Sequence, residues 1–279
     1  MPPYDPTWVD QLPDELTGQR TLLRGLLSLC DAEESIRWLV LGCSVARGAG
    51  DHLSDLDLAI GVRDEDFATA IPEIRLAVDG LGELVDSYQH QLPSVTTTHL
   101  RIFAQYADRC QVDLVVFPAS ASAEPFAGVV ALYDPDAAIV SRAHREPPAA
   151  AQVREWALHG WCALADVGKY LRRQSAWEAL IQLNNARDQL WRLQAVAGHV
   201  PDPQFGVISI LDFAPEMITP DMAATVADLD LARLVPAARQ LANLLDQIGQ
   251  QLPAEYRAVW PKAMARYVIS DLRQLTPAG

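Results

Sequence analysis

The stretch LGCSVARGAGDHLSDLDLAIGV, residues 41–62, constrains this chain more than any other. A turn of small and hydroxyl-bearing residues separates two apolar runs, and the second run opens with Asp55 and Asp57. On a β-strand successive side chains alternate faces, so both carboxylates point to one side while Leu56 and Leu58 point to the other. Two carboxylates that close repel each other and are usually kept ionised by a cation, and hard oxygen ligands suit Mg²⁺. A second apolar run, QVDLVVF, carries Asp113 in a similar setting. Aspartate is disfavoured inside strands, yet three occur here beside apolar neighbours, which argues against plain solvated positions.

The rest of the first half reads as α/β. Periodicity predicts a helix over 17–29, a short buried strand over 36–41, a turn over 42–54 and a strand over 56–60. Residues 64 to about 89 read as mostly helical, interrupted by Pro72, Gly80 and Gly82. In THLRIFAQY, residues His99, Arg101, Phe103 and Gln105 share one face, and a turn at Asp108–Arg109 leads into QVDLVVF, so the two runs form an antiparallel hairpin. Residues 132–136 read as a strand end and a turn. A mixed sheet of about four or five strands is expected. The charged, proline-bearing segment SRAHREPPAA marks a boundary near 141–149. It divides the chain into a domain over 1–143 and a helical domain over 144–279. Helices are predicted over 150–167, 175–196, 221–248 and 254–271. Five of the seven tryptophans lie beyond the boundary, most of them as core of a helical bundle. A long Pro- and Gly-bearing connection spans 198–217.

Composition narrows the function classes. The first residues lack the basic stretch and apolar core of a signal peptide, and no apolar run approaches the roughly 20 residues of a membrane span. The four cysteines show no CxxC spacing, which fits reduced thiols in a cytoplasm better than a disulfide framework or a zinc site. His99, His144, His159 and His199 show no metal-ligand spacing, and no Ser-His-Asp signature is present. The net charge of −14 is carried entirely by residues 1–140, with 22 acidic against 8 basic side chains, while the remainder is neutral. An acidic half disfavours a long nucleic-acid partner, tolerates a metal-bound nucleotide and attracts a cationic small molecule. Monomer and dimer both remain open.

Residues 42–57 resemble the signature of the DNA polymerase β-like nucleotidyltransferase superfamily: a Gly-Gly-Ser or Gly-Ser turn, a linker, then Asp-x-Asp on a strand. It stands here as Gly42-Cys43-Ser44, with Arg47-Gly48 behind it and Ser54-Asp55-Leu56-Asp57-Leu58 at its end. Within the superfamily the chain looks most similar to bacterial aminoglycoside (antibiotic) nucleotidyltransferases and their uncharacterised relatives, which also place a helical domain after the catalytic one. The resemblance covers residues 36–117 well and rests on architecture beyond 150. Cys43 departs from the family's usual second glycine.

The resemblance implies an α/β (α+β) nucleotidyltransferase fold with a mixed sheet followed by a helical bundle, and an active site in the cleft between them. It implies Mg²⁺-dependent transfer of a nucleoside monophosphate, AMP from ATP first among them, to a hydroxyl of a small acceptor such as an aminoglycoside. Asp55 and Asp57 would hold the metal. Asp113 would complete the metal-binding set, the three carboxylates converging on one divalent ion, and would either help hold a second metal or accept the hydroxyl proton. Ser44 would donate to a phosphate oxygen, with Gly42, Cys43 and Gly48 forming the turn, and Arg47 would reach phosphate, cap the acidic cluster or stay on the surface. Relatives send a lysine from their helical domain to the triphosphate, which makes Lys169, in a basic group with Arg172 and Arg173, the candidate. Glu178, Asn184 and Asp188 are candidate acceptor contacts, and Glu178 is also a fallback general base. The alternatives are nucleotidylation of a protein in a toxin–antitoxin-like setting and a non-catalytic nucleotide-binding module.

Overall fold

Strand alternation organises the first half of the molecule. The structure, a computed structural model, describes residues 7–92, 99–120, 126–139, 141–142 and 146–275. The chain divides into two compact units, Met1–Arg145 and Glu146–Gly279. His144 lies outside the described residues.

In the first unit, helix α1 (Thr17–Ala32) precedes β1 (Ile36–Leu41), the four-residue α2 (Cys43–Ala46) and β2 (Leu56–Val62). Then come α3 (Phe67–Asp79), β3 (Leu84–Leu92), β4 (His99–Tyr106), β5 (Gln111–Pro118), β6 (Phe126–Ala127), β7 (Val130–Tyr133) and β8 (Ser141–Arg142). Six strands form one sheet in the order β3-β4-β5-β2-β1-β7, and β6 pairs with β8 separately. Only β2 and β5 run parallel within the large sheet, so it is mixed. Alternate residues Leu56, Leu58 and Ile60 of β2, Leu100, Ile102 and Ala104 of β4, and Val112, Leu114 and Val116 of β5 are buried. With Leu22, Leu23 and Leu26 of α1 and Ile74 and Val78 of α3 they form one apolar core. The intervening positions, which include Asp57, Arg101, Phe103 and Asp113, are only half-buried.

The predicted helix over 64–89 ends early. Gly80 closes α3, its N–H donating to the carbonyls of Leu76 and Ala77, and the chain re-enters the sheet as β3, paired with β4 from Leu84↔Tyr106 to Leu92↔His99. That extra edge strand makes the sheet six-stranded instead of four- or five-stranded, and the strand end expected over 132–136 is β7, beside β1.

The second unit is helical: α4 (Ala150–Arg172), α5 (Ala176–Ala197), α6 (Val207–Phe213), α7 (Pro220–Ala223), α8 (Leu231–Gln251), α9 (Ala254–Ala258) and α10 (Lys262–Arg273). Its core includes Trp161, Leu164, Leu183, Leu190, Leu241 and Leu245, all fully buried. A mixed sheet followed by a helical unit is the architecture expected from the sequence. Three helix limits differ. The helix expected over 150–167 continues to Arg172. The helix expected over 221–248 is two, because the chain turns after Ala223 and restarts where the Asp230 side chain accepts the Ala232 N–H at 2.9 Å. The helix expected over 254–271 is split before Lys262 by Pro261. Trp156, Trp161 and Trp260 are core residues as expected, whereas Trp177 is 68% exposed. None of the four cysteines is in a disulfide, and burial pushes the thiols of Cys30 and Cys110 up to about 12 and about 11. Among the described residues no helix is long and apolar enough to cross a membrane.

Candidate active site

Parallel pairing of β2 with β5 brings the carboxylates together. The register sets Asp57 against Asp113, with Leu56↔Val112 and Leu58↔Leu114 on either side. Side chains of register partners share a face, so Asp57 and Asp113 stand side by side on the face opposite the α1/α3 core. Asp55 immediately precedes β2 and follows the same alternation. With its amide nitrogen turned toward Asp55, Gln111 donates to both carboxylate oxygens, at 2.9 and 3.2 Å.

The loop that delivers Asp55 is fixed from both ends. Asp51 accepts from the Leu53 N–H at 2.9 Å and the Asp51 N–H donates to Ser54 Oγ at 2.9 Å, a tight side-chain turn. Gln19 of α1, 1% exposed, donates to the carbonyls of Ser54 at 3.0 Å and Asp51 at 3.3 Å. Asp51 is therefore an organiser of the loop, and Gln19 ties that loop to the core.

The turn after β1 is built differently from the expectation. The Gly42 N–H donates to the Asp57 carbonyl at 2.8 Å, which pins the turn to β2. Gly42 itself has an extended backbone (φ −116°) that any residue adopts, and a Cβ there would make ordinary contacts. The left-handed backbone falls on Cys43 (φ 55°) and on Gly48 (φ 72°). A glycine at position 43 would take that conformation without strain, and here an exposed cysteine takes it. Its side chain hydrogen-bonds Asp57. Ser44 is half-buried and Arg47 is exposed at the end of α2.

Electrostatics mark the carboxylate group as short of positive charge. Burial, then repulsion from Asp113, raises Asp55 above the usual carboxylate range. Asp57 is raised chiefly by burial, with added repulsion from Asp113 and Asp55, against opposing contributions from the Cys43 hydrogen bond and Arg101. Arg101 of β4 is paired with Asp113. Its Nε donates to Asp113 Oδ1 at 2.6 Å and its Nη2 donates to Asp113 Oδ2, a two-pronged pair. The Asp113 side chain is 18% exposed. An open pocket of about 330 Å³ lies over this face, bounded by Gly42, Asp57, Arg101, Asp113, Val115 and Val129.

The donor chemistry of Asp55 and Asp57, two crowded and raised carboxylates, fits a hard divalent cation. Asp113 differs, because Arg101 holds both its oxygens. Among the described residues no three or more His, Cys, Asp or Glu side chains are grouped to hold a metal ion.

The candidates of the helical unit each have a neighbour. Lys169 lies within α4, its ammonium 2.5 Å from Asp166 and 4.5 Å from the Tyr170 ring centre. Arg172 pairs with Asp271 at 2.7 Å, so Lys169 and Arg172 of the basic group each have an acidic partner. Glu178 accepts from Ser175 Oγ at 2.5 Å at the start of α5. Asn184 accepts from Arg187 at 2.7 Å, and Asp188 pairs with Arg192 at 2.8 Å.

Sequence reasoning placed Arg101 on the correct face but did not connect it to Asp113. The signal lay in the hairpin: with the turn at Asp108–Arg109, Phe103 falls opposite Asp113, and Arg101 is the next residue on that face.

No family model matches this sequence, and no curated protein matches it. Among solved structures it is similar to the crystal structure of an aminoglycoside 6-adenyltransferase from Bacillus subtilis, at 14% identity and a TM-score of 0.40, over 91% of this chain and 98% of that one.

Proposed function

We propose that this chain is a nucleotidyltransferase that moves a nucleoside monophosphate, AMP from ATP in the first instance, onto a hydroxyl of a small acceptor. The observation that carries the reading is the Asp57–Asp113 pair, level on adjacent parallel strands, with Asp55 two residues upstream and the Gly42–Ser44 turn hydrogen-bonded to Asp57.

In such a transfer the acceptor oxygen attacks the α-phosphorus, the bond to pyrophosphate breaks, and the hydroxyl proton must be taken up. Asp55 and Asp57 would hold Mg²⁺, which when bound offsets the negative charge that builds on the phosphoryl oxygens. Asp113, held in place by the two-pronged pair with Arg101, is suited to orient the acceptor hydroxyl and accept its proton. The Ser44 hydroxyl offers a donor to a phosphate oxygen, and Arg47 is a second candidate for the triphosphate. Lys169, which pairs with Asp166, stays a candidate for the triphosphate on the resemblance alone. Asn184, Asp188 and Glu178 stay candidate acceptor contacts.

The acidic first half favours an acceptor bearing positive charge, an aminoglycoside-like amine among them. The engagement of Asp113 by Arg101 favours a second reading, a nucleotide-binding module without turnover.

The test is transfer of label from ATP, GTP, CTP and UTP, each labelled at the α-phosphate, to a panel of hydroxyl-bearing amines. The reading expects Mg²⁺-dependent labelling of at least one acceptor. Triphosphate binding with no transfer across the panel favours the second reading.

A further inference from the structure

We propose that Arg101 is the site's built-in second cation: its guanidinium takes the place beside Asp113 that a second divalent ion would occupy, so the chain binds one divalent ion, on Asp55 and Asp57. The inference rests on the reading that these two carboxylates hold a metal.

Three observations lead to it. The first is placement. Arg101 pairs in register with Val115, next to the Phe103↔Asp113 pair, so strand alternation alone puts it on the carboxylate face. The second is geometry. Nε and Nη2 engage one Asp113 oxygen each, a planar fork that supplies beside this carboxylate the positive charge a second ion would bring. The third is charge. Asp55, Asp57 and Asp113 bring three negative charges to one face, and one guanidinium with one divalent ion balances them. An arginine stays charged at any working pH and cannot be diluted away, so half of the usual two-cation arrangement is permanent. Asp113 is then held by Arg101, and its remaining lone pairs are left to face the acceptor.

The full-length protein is titrated with Mn²⁺, and the bound ions are counted by electron paramagnetic resonance for wild type, Arg101→Gln, Arg101→Lys and Asp57→Asn. Wild type should bind one ion per chain, lost in Asp57→Asn. Arg101→Gln should free Asp113, giving a second bound ion or binding tighter by roughly tenfold. Arg101→Lys keeps the charge and should stay at one ion. Two ions on the wild type overturn the inference even if Arg101→Gln fails to fold. One ion of unchanged or weaker affinity in a folded Arg101→Gln also overturns it, while the metal reading survives. No Mn²⁺ on the wild type overturns both.

Discussion

Asp57 and Cys43 show how single residues are stressed at this site. Burial and neighbouring carboxylates raise Asp55 and Asp57, so both hold a proton to higher pH in the folded chain than in the unfolded one. The folded state gains from this below the ordinary carboxylate pKa and loses the gain as pH rises through the raised value. Melting curves of metal-free protein should therefore show Asp57→Asn more stable than wild type at about pH 7, with the gap closing as pH falls toward about 4. Equal pH profiles for the two proteins would remove the strain argument. At Cys43 the left-handed backbone costs a residue with a Cβ more than it costs glycine. Cys43→Gly should raise stability by about 0.5–1 kcal/mol in urea unfolding. A loss would mean that the thiol's hydrogen bond to Asp57 outweighs the backbone strain.

At the scale of elements, the site depends on how β2 is approached and paired. Gln19 carries the approach, since its amide satisfies two carbonyls of the loop before Asp55. Gln19→Met keeps the volume and removes both donors, so amide hydrogens in 49–55 should exchange faster, by an opening energy lower by about 1–3 kcal/mol. Unchanged protection there would show that the Asp51–Ser54 turn suffices alone. The sequence made β1 legible, because a continuous apolar run between turn residues suits a central strand. It made the β4/β5 hairpin legible as well, because both strands alternate cleanly. It hid β3: the QHQ end and exposed Val85 and Tyr88 lack the apolar stripe of a core strand, since β3 lies at the sheet edge. The Asp57–Asp113 pairing was inferable as two strands with the same decoration, but the parallel register that levels them is a long-range property. Arg101's commitment to Asp113 was hidden for the same reason, as alternation gives a face and only the register gives a neighbour.

Over the whole molecule, charge sorts the partners. The acidic excess lies wholly within residues 1–140, the part that carries the carboxylate face. Phosphate backbones bind through many lysine and arginine contacts, and Arg101 is spent on Asp113. Fluorescence anisotropy should show no binding of a long single-stranded or duplex DNA at about 0.15 M salt. Salt-sensitive binding there would point to a polymer substrate in place of a small acceptor. The central claim is that the Asp55, Asp57 and Asp113 face performs nucleotidyl transfer, and pyrophosphate release tests it most directly. With ATP, Mg²⁺ and an acceptor panel, wild type should release pyrophosphate, and a folded Asp57→Asn should lose at least about 10²-fold of that rate. Undiminished release by Asp57→Asn would contradict the account.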